Sequence, residues 1–137
     1  MSSSSQINKI VLIVPCYNEE ENIPLFVAES EKQLGYFDWK IIFINDGSRD
    51  SSWQIISDEA TRNKRVFGIN FARNFGHQNA LKAGLEEASA SHPADAYITL
   101  DADLQHPISL IPEMVKQCKP GTHIVQAQRI DTTRRIS

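Results

Sequence analysis

Two aspartates separated by one alanine, Asp101 and Asp103, follow the apolar run at residues 97–100. In extended backbone, residues two apart point the same way, with Cα atoms roughly 6–7 Å apart. Carboxylates so placed repel, and each raises the pKa of the other. A hard divalent cation, Mg²⁺ or Mn²⁺, removes that penalty by taking a few carboxylate oxygens and filling its shell with phosphate oxygens and water. Departure of a nucleoside diphosphate calls for such an ion, because charge builds on the phosphate as the bond breaks. Gln105, two residues further on, offers a carbonyl oxygen to the same face. Taken alone, the pair fits a capping aspartate and a turn aspartate before a helix opening at Pro107 at least as well.

Three other polar clusters also follow apolar runs. Pro15-Cys16-Tyr17-Asn18-Glu19 offers an aromatic ring for a base, with amide and carboxylate acceptors for base or ribose; a plain strand stop and helix cap fits equally. Asp46-Gly47-Ser48 combines an acceptor-only carboxylate, able to take the N–H of a uracil or guanine ring, with a glycine that permits close backbone approach. An ordinary turn also explains it. Arg73, Asn74, His77 and Lys82 form a basic stretch in which Arg73 can reach base, ribose or diphosphate, or simply face solvent. Near the end, Arg129 opens an arginine-bearing tail that either clamps a phosphate or frays.

Other chemistries find little support. There is no Ser-His-Asp or Cys-His arrangement, no P-loop and no GxGxxG after the first apolar run, which weighs against an ATPase or a dinucleotide dehydrogenase. A net charge of -3 gives no reason to expect a nucleic-acid partner. Cys16 and Cys118 form no CxxC pair, and a reducing, cytoplasmic compartment is the simpler reading. No apolar stretch approaches the roughly 20 residues of a membrane span. Residues 1–6, polar and serine-rich, read as a disordered lead-in rather than a signal peptide. The 137 residues suffice for one compact domain, expected over residues 7–137.

The elements that must position these clusters alternate. Residues 9–14 (KIVLIV) read as a doubly buried strand stopping at Pro15. Ile23, Phe26, Val27 and Leu34 share one helix face, with glutamates in the first turn and Gly35 at the end. Residues 39–44 form a second strand, and Asp50 or a neighbouring serine caps a helix bearing Trp53, Ile56 and Ala60. Residues 65–71, 78–90 and 97–100 continue as strand, helix and strand. A helix from Pro107 carries Ile111, Met114, Val115 and Cys118, and residues 123–128 complete a fifth strand. Such alternation implies an α/β fold, a mostly parallel sheet with helices on both faces, whose polar clusters fall at the carboxyl ends of the strands, where open α/β sheets bind ligands.

The segments IVPCYNEEENI, IIFINDGSRDSS, NFARNFGHQNALKAGLE and ITLDADLQHP, in this order, resemble the inverting family 2 glycosyltransferases of GT-A fold over about residues 7–130. RNFGHQNALKAGL and DADLQHP look most like the polyprenyl-phosphate glycosyltransferases. The resemblance implies a Rossmann-like fold, a UDP- or GDP-sugar donor, an isoprenoid-phosphate acceptor and work at the cytosolic face of a membrane. It places Pro15, Tyr17, Asn18, Glu19, Asp46, Gly47, Ser48, Arg73 and Asp101 in the nucleotide pocket. Asp101, Asp103 and Gln105 become the metal set, and Asp103 and Arg129 the catalytic residues. A glycan or lipid-linked saccharide is the alternative acceptor, and a nucleotide-binding fragment without turnover is the alternative to an enzyme. Asn45 stands where many relatives have a first aspartate, and the chain ends at Ser137 whereas relatives continue into acceptor-site and membrane-contacting segments. A truncated domain is therefore expected, with membrane contact through later sequence and with apolar surface through which copies can associate.

Overall fold

The computed structural model describes residues 7–103, 108–118 and 122–124. Five strands run in chain order: β1 (Lys9–Cys16), β2 (Asp38–Asn45), β3 (Val66–Asn70), β4 (Ala96–Thr99) and β5 (Thr122–Ile124). Their order across the sheet is β3-β2-β1-β4-β5, and every neighbouring pair is parallel. Between them lie α1 (Asn22–Gln33), α2 (Ser52–Arg62), α3 (His77–Ser91) and α4 (Ile111–Lys116), the last preceded by a 3₁₀ turn over Ile108–Leu110. The expected parallel sheet covered on both faces is present. The lead-in at residues 1–6, Gln105, Pro107, residues 125–128 and Arg129 lie outside the described residues.

Strand alternation sorts the core into two layers. Ile10, Leu12, Val14 and Cys16 of β1 pack with Ile23, Phe26 and Val27 of α1, Ile56 of α2 and Ile111 and Val115 of α4. Phe26 meets Phe43 edge-on, with ring centroids 5.8 Å apart. Val11 and Ile13 point the other way and join Ile42, Ile44 and the α3 residues Ala80 and Ala88. Each fully buried Ile or Leu contributes about 1.5–3 kcal/mol relative to exposure. The α3 stripe of Ala80, Gly84 and Ala88 carries little bulk, so the helix sits directly on the sheet. A Cβ at Gly84 would lie 2.6 Å from both Ile13 Cγ2 and Ile44 Cδ1.

Several boundaries differ from expectation for local reasons. β1 runs through Pro15 to Cys16 instead of stopping at the proline. The Ile13 carbonyl accepts from Leu100 N–H on the β4 side, and the Cys16 carbonyl accepts from Asp46 N–H on the β2 side. Alternation therefore turns Pro15 toward β4, just past that strand's end, where a missing N–H removes no ladder bond. The glutamates precede α1 instead of filling its first turn: Asn22 and Ile23 N–H both bond to the Glu19 carbonyl. α4 begins at Ile111, with Pro112 in its first turn, because a proline deeper in a helix would lose a bond and clash with the turn before it. That leaves Cys118 past the helix end, though still packed against the core.

The far end of β1 is tied down by Asp95. Its Oδ2 accepts the N–H groups of Asn8 at 2.8 Å and Lys9 at 2.9 Å, while its own N–H donates to the Lys9 carbonyl. The Lys9 and Asn8 bonds hold the carboxyl below the usual aspartate range against a smaller opposing push from burial. A lowered folded-state value means that this contribution is complete above the ordinary aspartate range and is lost as pH falls through the folded value. Asp95→Asn is therefore expected to lower stability at neutral pH and to flatten the acid limb of stability against pH, as read by urea unfolding at pH 7, 4 and 3. Gly84→Val should destabilise by about 1–3 kcal/mol through overpacking against Ile13 and Ile44, measured by thermal and urea unfolding.

Candidate functional site

The polar clusters converge. A pocket of about 340 Å³ is lined by Pro15, Cys16, Tyr17 and Glu19 after β1, Asp46 after β2, Asn74 and His77 before and at the start of α3, and Asp101, Ala102 and Asp103 after β4. It opens beside the carboxyl ends of β1 and β4, the point from which connections diverge to opposite sides of the sheet and where open α/β folds bind ligands. Of the residues singled out from sequence, Pro15, Tyr17, Glu19, Asp46, Asp101 and Asp103 are brought together here. Asn18, Gly47, Ser48 and Arg73 do not line the pocket; Gln105 and Arg129 lie outside the described residues.

Asp46 is almost fully buried, yet it is well supplied with donors. Its Oδ1 accepts the Phe75 N–H at 2.8 Å, while the Asn74 amide reaches Oδ2 at 3.3 Å and the Asp46 carbonyl at 3.0 Å. The close approach permitted by Gly47 is made by protein backbone: at φ 73°, a Cβ there would collide with Asn74 N and the Arg73 carbonyl carbon. The loop after β3 is thus clasped to the loop after β2. Arg73 lies outside the pocket, with its guanidinium 4.4 Å from the Phe75 ring centre.

A second clasp joins the loops after β1 and β2, and here Asn18 and Ser48 find their place. Asn18 adopts φ 55°, a conformation that short amide side chains tolerate. Its N–H donates to Ser48 Oγ at 2.9 Å, and its Oδ1 accepts the Arg49 N–H at 2.8 Å. Ser51 N–H reaches Glu20 Oε1 and Glu20 N–H reaches Asp50 Oδ2, while Asp50 Oδ1 accepts the N–H of Ser52, the first residue of α2; the N-cap position itself falls to Ser51, the neighbouring serine, whose side chain makes no cap bond. Burial pushes the Asp50 carboxyl up, but bonds from Ser52 and Glu20 outweigh it and hold the group low. Glu19 is fixed by its N–H to Ser52 Oγ and by Asn22 Nδ2 on Oε1 at 2.7 Å.

Asp101 and Asp103 reach the pocket by a different route from the extended segment expected. β4 ends at Thr99, Ala102 and Asp103 form a turn, and buried Ala102 anchors that turn in the core between two half-buried aspartates. Their hard oxygen donors, facing a pocket with room for a ligand, suit a hard divalent ion that draws its remaining ligands from phosphate and water. Among the described residues no group of three or more His, Cys, Asp or Glu side chains gathers as a metal cluster. Cys16 offers no thiolate, because burial, with the Glu19 and Asp50 charges, pushes its thiol far up. Besides Cys16 and Ala102, His77 and Asn74 are the pocket residues that sequence reasoning left outside the site. Their one signal was their place after the third strand.

Comparison with known proteins places this geometry in a family. The chain matches glycosyl transferase family 2 over residues 11–135. It is 42% identical over 125 residues to a bactoprenol glucosyl transferase of Shigella phage SfV, covering 90% of this chain and 39% of that protein. It is 34% identical over 132 residues to an undecaprenyl-phosphate 4-deoxy-4-formamido-L-arabinose transferase of Proteus mirabilis strain HI4320, covering 94% of this chain and 39% of that protein. The chain thus spans about two-fifths of the length of these relatives. Among solved structures, a mannosyltransferase of Pyrobaculum calidifontis in complex with GDP-mannose and Mn²⁺ superimposes with a TM-score of 0.65 at 19% identity, over 78% of this chain and 31% of that one, which establishes the GT-A fold. With the family match running through all five strands and the pocket between them, the chain belongs to glycosyl transferase family 2.

Proposed function

We propose that this chain forms the donor-binding part of a metal-dependent, inverting glycosyltransferase that moves a sugar from a UDP- or GDP-linked donor to a polyprenyl phosphate. The observation that carries the reading is the single pocket in which Asp46, Asp101 and Asp103 meet Pro15, Tyr17 and Glu19. Tyr17, nearly half exposed at the rim, offers a ring face to the base. Asp46, oriented by Phe75 and Asn74, accepts from a base N–H. Asp101 and Asp103 would hold Mg²⁺ or Mn²⁺, which supplies charge neutralisation for the departing diphosphate. Gln105 and Arg129 complete the proposed metal set and phosphate clamp.

The acceptor class is supported by the bactoprenol and undecaprenyl-phosphate names of the relatives. It also suits the chemistry. A phosphate acceptor is anionic at neutral pH, so its oxygen attacks the anomeric carbon with little help from a general base. Among the described residues no helix is long and apolar enough to cross a membrane. Work at the cytosolic face of a membrane accordingly rests, in this proposal, on contacts made elsewhere in the protein.

Calorimetry with UDP and GDP, with and without Mn²⁺, tests the pocket. Asp103→Ala is expected to weaken the Mn²⁺-dependent affinity at least tenfold, or about 1.4 kcal/mol; unchanged affinity would sink the metal assignment. Asp46→Asn keeps an oxygen for the Phe75 N–H but loses the carboxylate. It should therefore weaken nucleotide binding, with some fall in melting temperature because its amide now meets the Asn74 amide as donor to donor, whereas unchanged binding by the folded variant would remove Asp46 from the base contact.

A further inference from the structure

His77 is the only side chain able to carry a positive charge among the described residues lining the pocket, where Glu19, Asp46, Asp101 and Asp103 supply four carboxylates. Arg73 and Lys82, the other cations of this stretch, are exposed and do not line it. A nucleoside diphosphate brings further negative charge into that setting. Even with two carboxylates offset at Asp101 and Asp103, Glu19 and Asp46 keep the surroundings acidic.

The position of His77 suits it to meet such an anion. It is the first residue of α3, a 15-residue helix. Gly76, at φ 101°, makes the sharp entry in a conformation that side chains rarely adopt. His77 thus lines the pocket from the first turn of α3, the end of the helix that carries its positive pole. The stripe of Ala80, Gly84 and Ala88 packs the helix closely on Ile13 and Ile44 of the sheet.

We infer that His77 is an anion-binding residue of this pocket and contacts a phosphate of the bound nucleotide. The inference rests on the nucleotide reading proposed above and adds to it a residue outside the acidic motifs. It is tested by titrating wild type, His77→Ala and His77→Lys with UDP and GDP in Mn²⁺, and then with the nucleoside of whichever diphosphate binds. His77→Ala should lower affinity for the diphosphate at least fivefold and leave nucleoside affinity unchanged, and His77→Lys should restore most of the loss. An equal loss for diphosphate and nucleoside, or unchanged diphosphate affinity, overturns the inference while the nucleotide reading stands. Failure of wild type to bind either diphosphate overturns both.

Discussion

The burial of β1 on both faces and both edges is the constraint from which the rest follows. Parallel partners occupy its two sides, and its residues from Ile10 to Cys16 are buried. A strand so enclosed has no lateral surface on which to display a polar side chain. Chemistry must therefore emerge where the strand ends, and parallel pairing brings the ends of β2, β3 and β4 to the same side of the sheet. Parallel topology thus gathers four polar clusters, distant in sequence, into one pocket.

Convergence alone does not order those loops. That is done by side chains bonding to backbone across loops: Asn18 and Ser48, Glu20 with Asp50, and Asp46 with Asn74 and Phe75. All but the Asn74–Asp46 side-chain bond satisfy a backbone donor that has left the ladder, and each ties one strand end to the next. The residues nearest the ligand space are consequently held by neighbours that do not enter it. Asp46 belongs to both groups, since the carboxylate facing the pocket is also the acceptor that closes the loop after β3.

The architecture was legible because it depends on period and run length, which a single segment displays. KIVLIV and its counterparts announce buried strands, and spacings such as Ile23, Phe26 and Val27 announce a helix face. The site was legible as a set of strand-end clusters, and six of the residues assigned to the site from them do line one pocket. The division of labour within each cluster was not, because it depends on contacts between segments. Nothing local distinguishes Asn18, which reaches Arg49, from Tyr17 beside it, which faces the pocket. Gly47 signals a close approach without saying that its neighbour is the Arg73–Asn74 backbone. His77 looked like any surface histidine until Gly76 and the packing of α3 placed it beside the aspartates. Pro15 was misread for the same reason, since whether a proline breaks a strand depends on which neighbour its nitrogen faces.

That proline has a consequence for the pocket it lines. Any other residue at this position of β1 would turn an N–H toward the gap beyond β4. Proline has no N–H to contribute there, only a carbonyl. At the pocket it lines, Pro15 therefore brings no backbone N–H donor.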